Sequence, residues 1–155
     1  MADPLSGMCV AIERAAVAEA ASTRDPLFLA LLRGERARTR LIEDAGGLAR
    51  LSEAAERLGV TSQAVTGRRT RGTILAVPAA NGEWLYPVCQ FGEYDLVPGM
   101  SQFLRAFDED VDPWTRLSAL LADSNRFGGM SALDLLRKGQ VEDARSIAGT
   151  YGAQG

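Results

Sequence analysis

Between Glu56 and Glu83 the chain carries no acidic residue, and Arg57, Arg68, Arg69 and Arg71 stand in that interval. A guanidinium is permanently charged and presents a planar fork of donors, so a run of them without carboxylates suits phosphate. Thr61, Ser62, Gln63 and Thr66 lie just before the last three arginines. Short hydroxyl and amide side chains of this kind hydrogen-bond base edges, and backbone amides at a helix start add phosphate contacts. The chemistry expected of this stretch is recognition of double-stranded DNA.

Material for catalysis is thin. Histidine is absent, which removes the commonest general base and metal ligand and any Ser-His or Cys-His nucleophilic pair. Cys9 and Cys89 stand far apart without CxxC spacing, which fits neither a disulfide framework nor a zinc site; both are expected as small buried hydrophobes. Asp108, Asp110 and Asp112 alternate as hard-cation ligands can, but the further oxygen ligands of a calcium loop do not follow. An exposed acidic loop ending in an N-cap accounts for them. Neither common Gly-rich phosphate loop occurs. The expectation is therefore a protein that is not an enzyme, with no catalytic residue, cofactor or metal.

The elements that position the polar and basic residues can be read from the pattern around them. Glu53 and Glu56 fall in the first turns of an Ala-rich helix that Ser52 is expected to cap, with Ala54, Ala55 and Leu58 inward. Gly59-Val60-Thr61 is a turn, and a second helix follows with Ala64 and Val65 inward, running to Gly72. Two short helices across such a turn predict a helix-turn-helix, with Ser62, Gln63 and Thr66 outward and Arg68, Arg69 and Arg71 on phosphates. The usual motif has an apolar residue where this chain has Arg68. From Ile74 the period changes to that of extended chain, and Asn81-Gly82 is a strong turn pair between Ile74–Val77 and Trp84–Tyr86. The segment resembles winged helix-turn-helix proteins of the excisionase and MerR-like kind, which places Asn81 at a wing tip near the DNA backbone. A plain structural corner with solvated arginines is the bland alternative.

Around this segment the pattern is helical. Met8–Ala21 has high helix propensity, and Asp25-Pro26 starts a helix that Gly46-Gly47 ends. Further helices are expected after Pro98-Gly99, after Asp112-Pro113, after Ser131, and from Val141 to about Ala148. Phe103, Phe107, Trp114, Leu117, Leu121, Leu133 and Leu136 recur at helical spacing and are expected in the core. The net charge is −3, but eleven arginines oppose nine acids over residues 1–75 and six basic residues oppose eleven acids over 76–155, so a basic patch is expected on an acidic protein. No apolar run approaches the length of a membrane span and no signal-peptide layout is present, so the expectation is a cytoplasmic protein with no membrane partner.

The residues DPWTRLSALLADSNRFGGMSALDLLRKGQVEDARSIA, 112–148, resemble the toxin-binding domain of the Xre/MbcA/ParS antitoxin family. Gly128, Gly129, Ser131, Leu133, Leu136, Gly139, Val141 and Ala144 match its layout, with Ala132 where the family commonly has Pro. Upstream, EAAERLGVTSQAVTGRR, YPVCQF and the PGM-containing helix are similar in looser form, so the resemblance covers roughly residues 48–150. It implies a type II antitoxin that neutralises a cognate toxin, typically a RES-type, NAD-consuming one, and represses its own operon by binding operator DNA. The toxin-binding residues expected on that footing are Arg126, Phe127, Gly128, Gly129, Met130, Arg137, Lys138, Arg145 and Tyr151. The fold expected is mainly α, in three parts: a helical extension (1–47) that could dimerise the protein, a winged helix-turn-helix (48–92) and a helical toxin-binding-like domain (93–155). A homodimer is the default, because two half-sites need two copies. A stand-alone transcriptional regulator without a toxin, and an interaction module that has lost DNA binding, are the competing readings.

Overall fold

The computed structural model describes residues 25–151. The expected helix over Met8–Ala21, Cys9 and the residues after Tyr151 lie outside the described residues. The described residues fall into two units, divided between Arg40 and Leu41. Helix α1, Pro26–Asp44, begins as its sequence requires: Asp25 Oδ1 accepts the Leu27 N–H at 3.0 Å, and proline occupies the first helical position. Gly46 and Gly47 end it at φ 74° and 98°, with the Gly47 N–H returning to the Ile42 carbonyl at 2.9 Å. No residue of α1 is buried.

Within residues 41–155 the architecture is mainly helical, with two small antiparallel sheets. Strand β1 (Leu48–Ala49) leads to helices α2 (Leu51–Leu58) and α3 (Ser62–Thr70), followed by β2 (Val77–Pro78), β3 (Trp84–Pro87) and a 3₁₀ turn at Val88–Gln90. Then come α4 (Met100–Arg105), α5 (Pro113–Leu121), β4 (Asp123–Ser124), a 3₁₀ turn at Asn125–Phe127, β5 (Met130–Ser131), α6 (Ala132–Arg137) and α7 (Val141–Gly149). The expected hairpin is present, with Val77 opposite Leu85 and Pro78 opposite Trp84. On its other edge β3 also pairs with β1, Leu48 opposite Pro87 and Ala49 opposite Tyr86, giving the order β1-β3-β2. A two-residue strand is too short to show alternation, so the sequence pattern does not reveal β1.

Two corrections concern boundaries. Arg50, not Ser52, precedes α2 as its N-cap, with no side-chain cap bond, because the chain leaves β1 at Ala49 and enters the helix at once. Helix α3 stops at Thr70 rather than at Gly72: Arg71 closes it, and Gly72, at φ 73°, bonds back to the Arg69 carbonyl at 3.1 Å.

Two hydrophobic cores lie side by side in this unit. Ala49, Ala54, Ala55, Leu58, Val65, Ile74, Ala76 and Tyr86 form one; Leu75, Val77, Met100, Phe103, Leu117, Leu120, Leu135 and Leu136 belong to the other. Residues 74–77 alternate between them, Ile74 and Ala76 entering the first and Leu75 and Val77 the second. The fully buried Gln90 clamps this shared segment, its Oε1 accepting the Leu75 N–H and its Nε2 donating to the Leu75 carbonyl, both at 2.8 Å. A polar side chain is tolerable there because both ends of its amide are satisfied.

The larger core explains the acidic run. Arg116 donates from Nε to the Val111 carbonyl (3.0 Å) and from Nη2 to the Asp108 carbonyl (3.1 Å), and its guanidinium lies 5.3 Å from the Phe107 ring centre. The loop is thus held by its backbone oxygens, while the Asp112 carboxylate caps α5 through the N–H groups of Trp114 and Thr115. Burial tends to raise the Asp112 pKa, but hydrogen bonds from the Thr115 side chain and from the Thr115 and Trp114 amides outweigh it and leave the carboxyl below its ordinary range. Phe107 packs edge-on against both Phe103 and Tyr151.

Candidate nucleic-acid interface

Helices α2 and α3 meet across a turn whose geometry follows from its residues. Gly59 takes the left-handed conformation (φ 66°, ψ 31°), and the Val60 N–H reaches back to the Ala55 carbonyl at 3.0 Å, a Schellman-type ending that suits a residue without Cβ. Thr61 then starts α3, its Oγ1 accepting the Ala64 N–H at 3.1 Å. Val65 is fully buried beneath the turn with Ala54 and Ala55. At about 100° per residue, the side of α3 opposite Val65 carries Gln63, Gly67 and Thr70, flanked by Thr66 and Arg71. Ser62 and Gln63 are exposed, Thr66 is half-buried, and Thr61 is engaged as a cap. Gly67 and Thr70 were absent from the expected set, although the 3.6-residue period counted from Val65 points to both.

The arginines are more ordered than an acid-free interval suggests. Arg68 is half-buried and its guanidinium pairs with Asp95 at 3.3 Å, bringing in a carboxylate twenty-seven residues away. Its stem is half-buried while its head reaches that carboxylate, as a long amphipathic side chain can. Arg69 points toward the sheet, with its guanidinium 4.7 Å from the Trp84 ring centre. Burial raises the pKa of the neighbouring Tyr86 phenol, and the Arg69 charge opposes that shift. Arg57 lies 5.8 Å from the Phe91 ring centre. Arg71 is exposed and lies back along α3 over Gly67.

At the hairpin tip, Asn81 Oδ1 accepts the Glu83 N–H at 2.9 Å and Gly82 sits at φ 85°. Asn81 therefore holds the turn, leaving its amide nitrogen to solvent. Trp84 and Tyr86 pack into the core under α2 and α3. Helix α3 thus carries one exposed face with Arg68 and Arg71 beside it, and the hairpin ends in the exposed Asn81-Gly82 turn.

The residues expected to meet a toxin fall on several surfaces. Gly128 and Gly129 (φ 65° and 85°) form the turn between β4 and β5, and the Gly129 N–H donates to the Ser124 carbonyl at 2.8 Å. Arg126 lies 5.0 Å from the Phe127 ring centre, and Phe127 itself leans on the core. Lys138 Nζ approaches the Met130 sulfur at 3.3 Å, which gathers Met130, Lys138 and the exposed Arg137 near one another. Arg145 instead pairs with Glu142 on α7 at 2.9 Å. Tyr151 packs on Phe107, and it also borders, with Arg126, Asn125 and Thr150, a groove of about 270 Å³. Capping of α6 by Ser131 is reciprocal: its Oγ accepts the Asp134 N–H and Asp134 Oδ2 accepts the Ser131 N–H, both at 3.1 Å.

Cys89 is half-buried; burial pushes its thiol up to about 11, with Arg137 opposing, so it remains a thiol at neutral pH. Among the described residues there is no group of three or more His, Cys, Asp or Glu placed to hold a metal ion, and no helix long and apolar enough to cross a membrane. No family model, curated protein or solved structure matches the chain.

Proposed function

We propose that the protein is a DNA-binding antitoxin: α2 and α3 act as a helix-turn-helix, β2 and β3 as its wing, and the helices after residue 93 hold a cognate toxin. The observation that carries the DNA half is the outer face of α3, where Gln63, Thr66 and Thr70 stand beside Arg68 and Arg71 with no carboxylate on the helix. Hydroxyl and amide groups there read base edges, Arg68 and the α3 N-terminal amides meet phosphates, and Asn81 approaches the backbone from the wing.

The toxin half rests on the resemblance of residues 112–148 to the Xre/MbcA/ParS antitoxins, which makes a RES-type, NAD-consuming toxin the partner of choice. The surface suited to it is the Arg126–Met130 turn with Arg137 and Lys138, two glycines and three cations around Phe127 and Met130. The proposed setting is the cytoplasm, and the proposed DNA-bound form is a homodimer, neither requiring catalysis by the chain itself.

The test is a salt-dependent titration of the full-length protein against its own promoter, with and without the product of the adjacent gene. Tight binding that weakens steeply with salt and responds to that product is expected. A stable complex with that product and no DNA binding at low salt would reduce the function to sequestration. DNA binding with no complex would favour a stand-alone regulator.

A further inference from the structure

The geometry points to Arg71 as a base-reading residue, set in place by Gly67, rather than a phosphate contact. The inference rests on the DNA-binding reading above and adds which side chain confers sequence preference, and for what.

Gly67 occupies the middle of α3 with ordinary helical φ, where glycine is the least favourable residue after proline. Nothing inside the protein asks for it. The three side-chain atoms nearest a methyl group built on Gly67 all belong to the Arg71 guanidinium, at 3.1 Å for Nη1 and 3.7 Å for Cζ and Nη2. The bare Cα therefore serves the outward side, where it opens a lane along the helix that Arg71, one turn on, fills by lying back over it. That places a guanidinium at the centre of the row formed by Gln63, Gly67 and Thr70.

The three arginines at this helix end are also unequal. Arg68 is bound to Asp95, and Arg69 is held on Trp84. Among the described residues Arg71 has neither an ion pair nor a ring contact, so its fork of donors is uncommitted. In the major groove a planar fork matches the O6 and N7 acceptors of guanine, the commonest specific contact made by arginine. Glycine beneath it lets the helix axis come closer to the base pairs than any side chain would permit. The ligand feature assigned is thus one G·C pair in each half-site.

The experiment compares wild type, Arg71→Ala, Arg68→Ala and Gly67→Ala on duplexes from the protein's own promoter and their single-base-pair variants, using fluorescence anisotropy at two salt concentrations. Arg71→Ala is expected to weaken the parent duplex by about 5- to 150-fold and to abolish the preference for G·C at one position per half-site. Arg68→Ala should weaken all duplexes alike and lower the salt slope by about one. Gly67→Ala should raise the melting temperature by about 2–4 °C, because alanine favours the helix, and yet weaken the parent duplex at least about tenfold. Uniform weakening by Arg71→Ala with every base preference intact would overturn the inference and make Arg71 a phosphate contact. So would a Gly67→Ala protein that binds and discriminates as wild type does. Absence of duplex binding by the wild type at low salt would sink the DNA-binding reading itself, and the inference with it.

Discussion

Replacing Gln90 by leucine tests the clamp between the two cores. The side chain is fully buried and holds both the N–H and the carbonyl of Leu75 at 2.8 Å. Leucine is of similar size and supplies neither partner, so it leaves two backbone groups buried and unpaired. Each such group costs about 1–3 kcal/mol, and the gain from burying an apolar side chain in place of an amide offsets about 1–2 kcal/mol of the total. The expected net loss is about 3 kcal/mol, a large fraction of the stability of an ordinary domain.

Urea unfolding of the full chain is the assay, followed by tryptophan fluorescence and circular dichroism. Leu75 and Val77 enter one core while Ile74 and Ala76 enter the other, so both cores depend on the same segment. The two probes should therefore shift together. Hydrogen exchange at the Leu75 amide gives a local reading, and its protection should fall by at least as much as the global stability does. A loss below about 1 kcal/mol with Leu75 still protected would refute the reasoning, since it would mean that water or another group satisfies Leu75 without Gln90.

Three further outcomes are expected. Asp95→Asn frees the Arg68 guanidinium and should strengthen promoter binding about two- to fivefold with a steeper salt slope, as anisotropy titrations would show; weaker binding would mean that the Arg68–Asp95 pair orients the helix for DNA. Gly99→Ala should cost at least about 2 kcal/mol in urea unfolding, because Gly99 sits at φ 88° and a Cβ there would fall 2.7 Å from Val141 Cγ2 and 2.9 Å from Leu136 Cδ2. Asp134 is held below its ordinary pKa chiefly by the Ser131 backbone bond; burial opposes this, and the Ser131 hydroxyl, Arg137 and Lys138 add to the lowering. A depressed carboxyl stabilises the fold fully above its unfolded pKa of about 3.9 and progressively less as pH falls through its folded value, so Asp134→Asn should flatten the decline in urea midpoint below about pH 4.

Local signals in the sequence carried far. Asp25-Pro26, Asp112-Pro113 and Ser131 each start a helix where capping chemistry places it, Gly46-Gly47 and Gly59 end helices in the left-handed region, and Asn81-Gly82 turns the hairpin. The apolar stripe through Phe103, Phe107 and Leu117 is core. What the sequence hid is non-local. Strand β1 has two residues and exists only because β3 offers it an edge. Gln90 reads as an ordinary polar residue until Leu75, fifteen positions earlier, lies against it. Ser52 looked like a cap because its side chain is of the right type, but the cap is fixed by where the preceding strand releases the chain.

The basic interval shows how a charge pattern along a sequence changes meaning in space. Counted along the chain, Arg68, Arg69 and Arg71 are equivalent cations with no acid for eleven residues on either side. Folding sorts them by helix angle. Measured from buried Val65, Arg69 turns inward and is absorbed by Trp84, Arg68 lies to one side where the loop after Phe91 delivers Asp95, and Arg71 turns toward solvent. A cation stacked on a core-facing indole contributes to the platform, and a cation already paired must exchange a carboxylate for a phosphate before it adds affinity. On the proposed DNA-binding reading, electrostatic attraction would be smaller than four arginines imply, and of the three arginines at the end of α3 it is Arg71 that would add to base discrimination. In this reading, substitution of Arg69 should act on stability and substitution of Arg71 on recognition, although the two residues are separated by a single position.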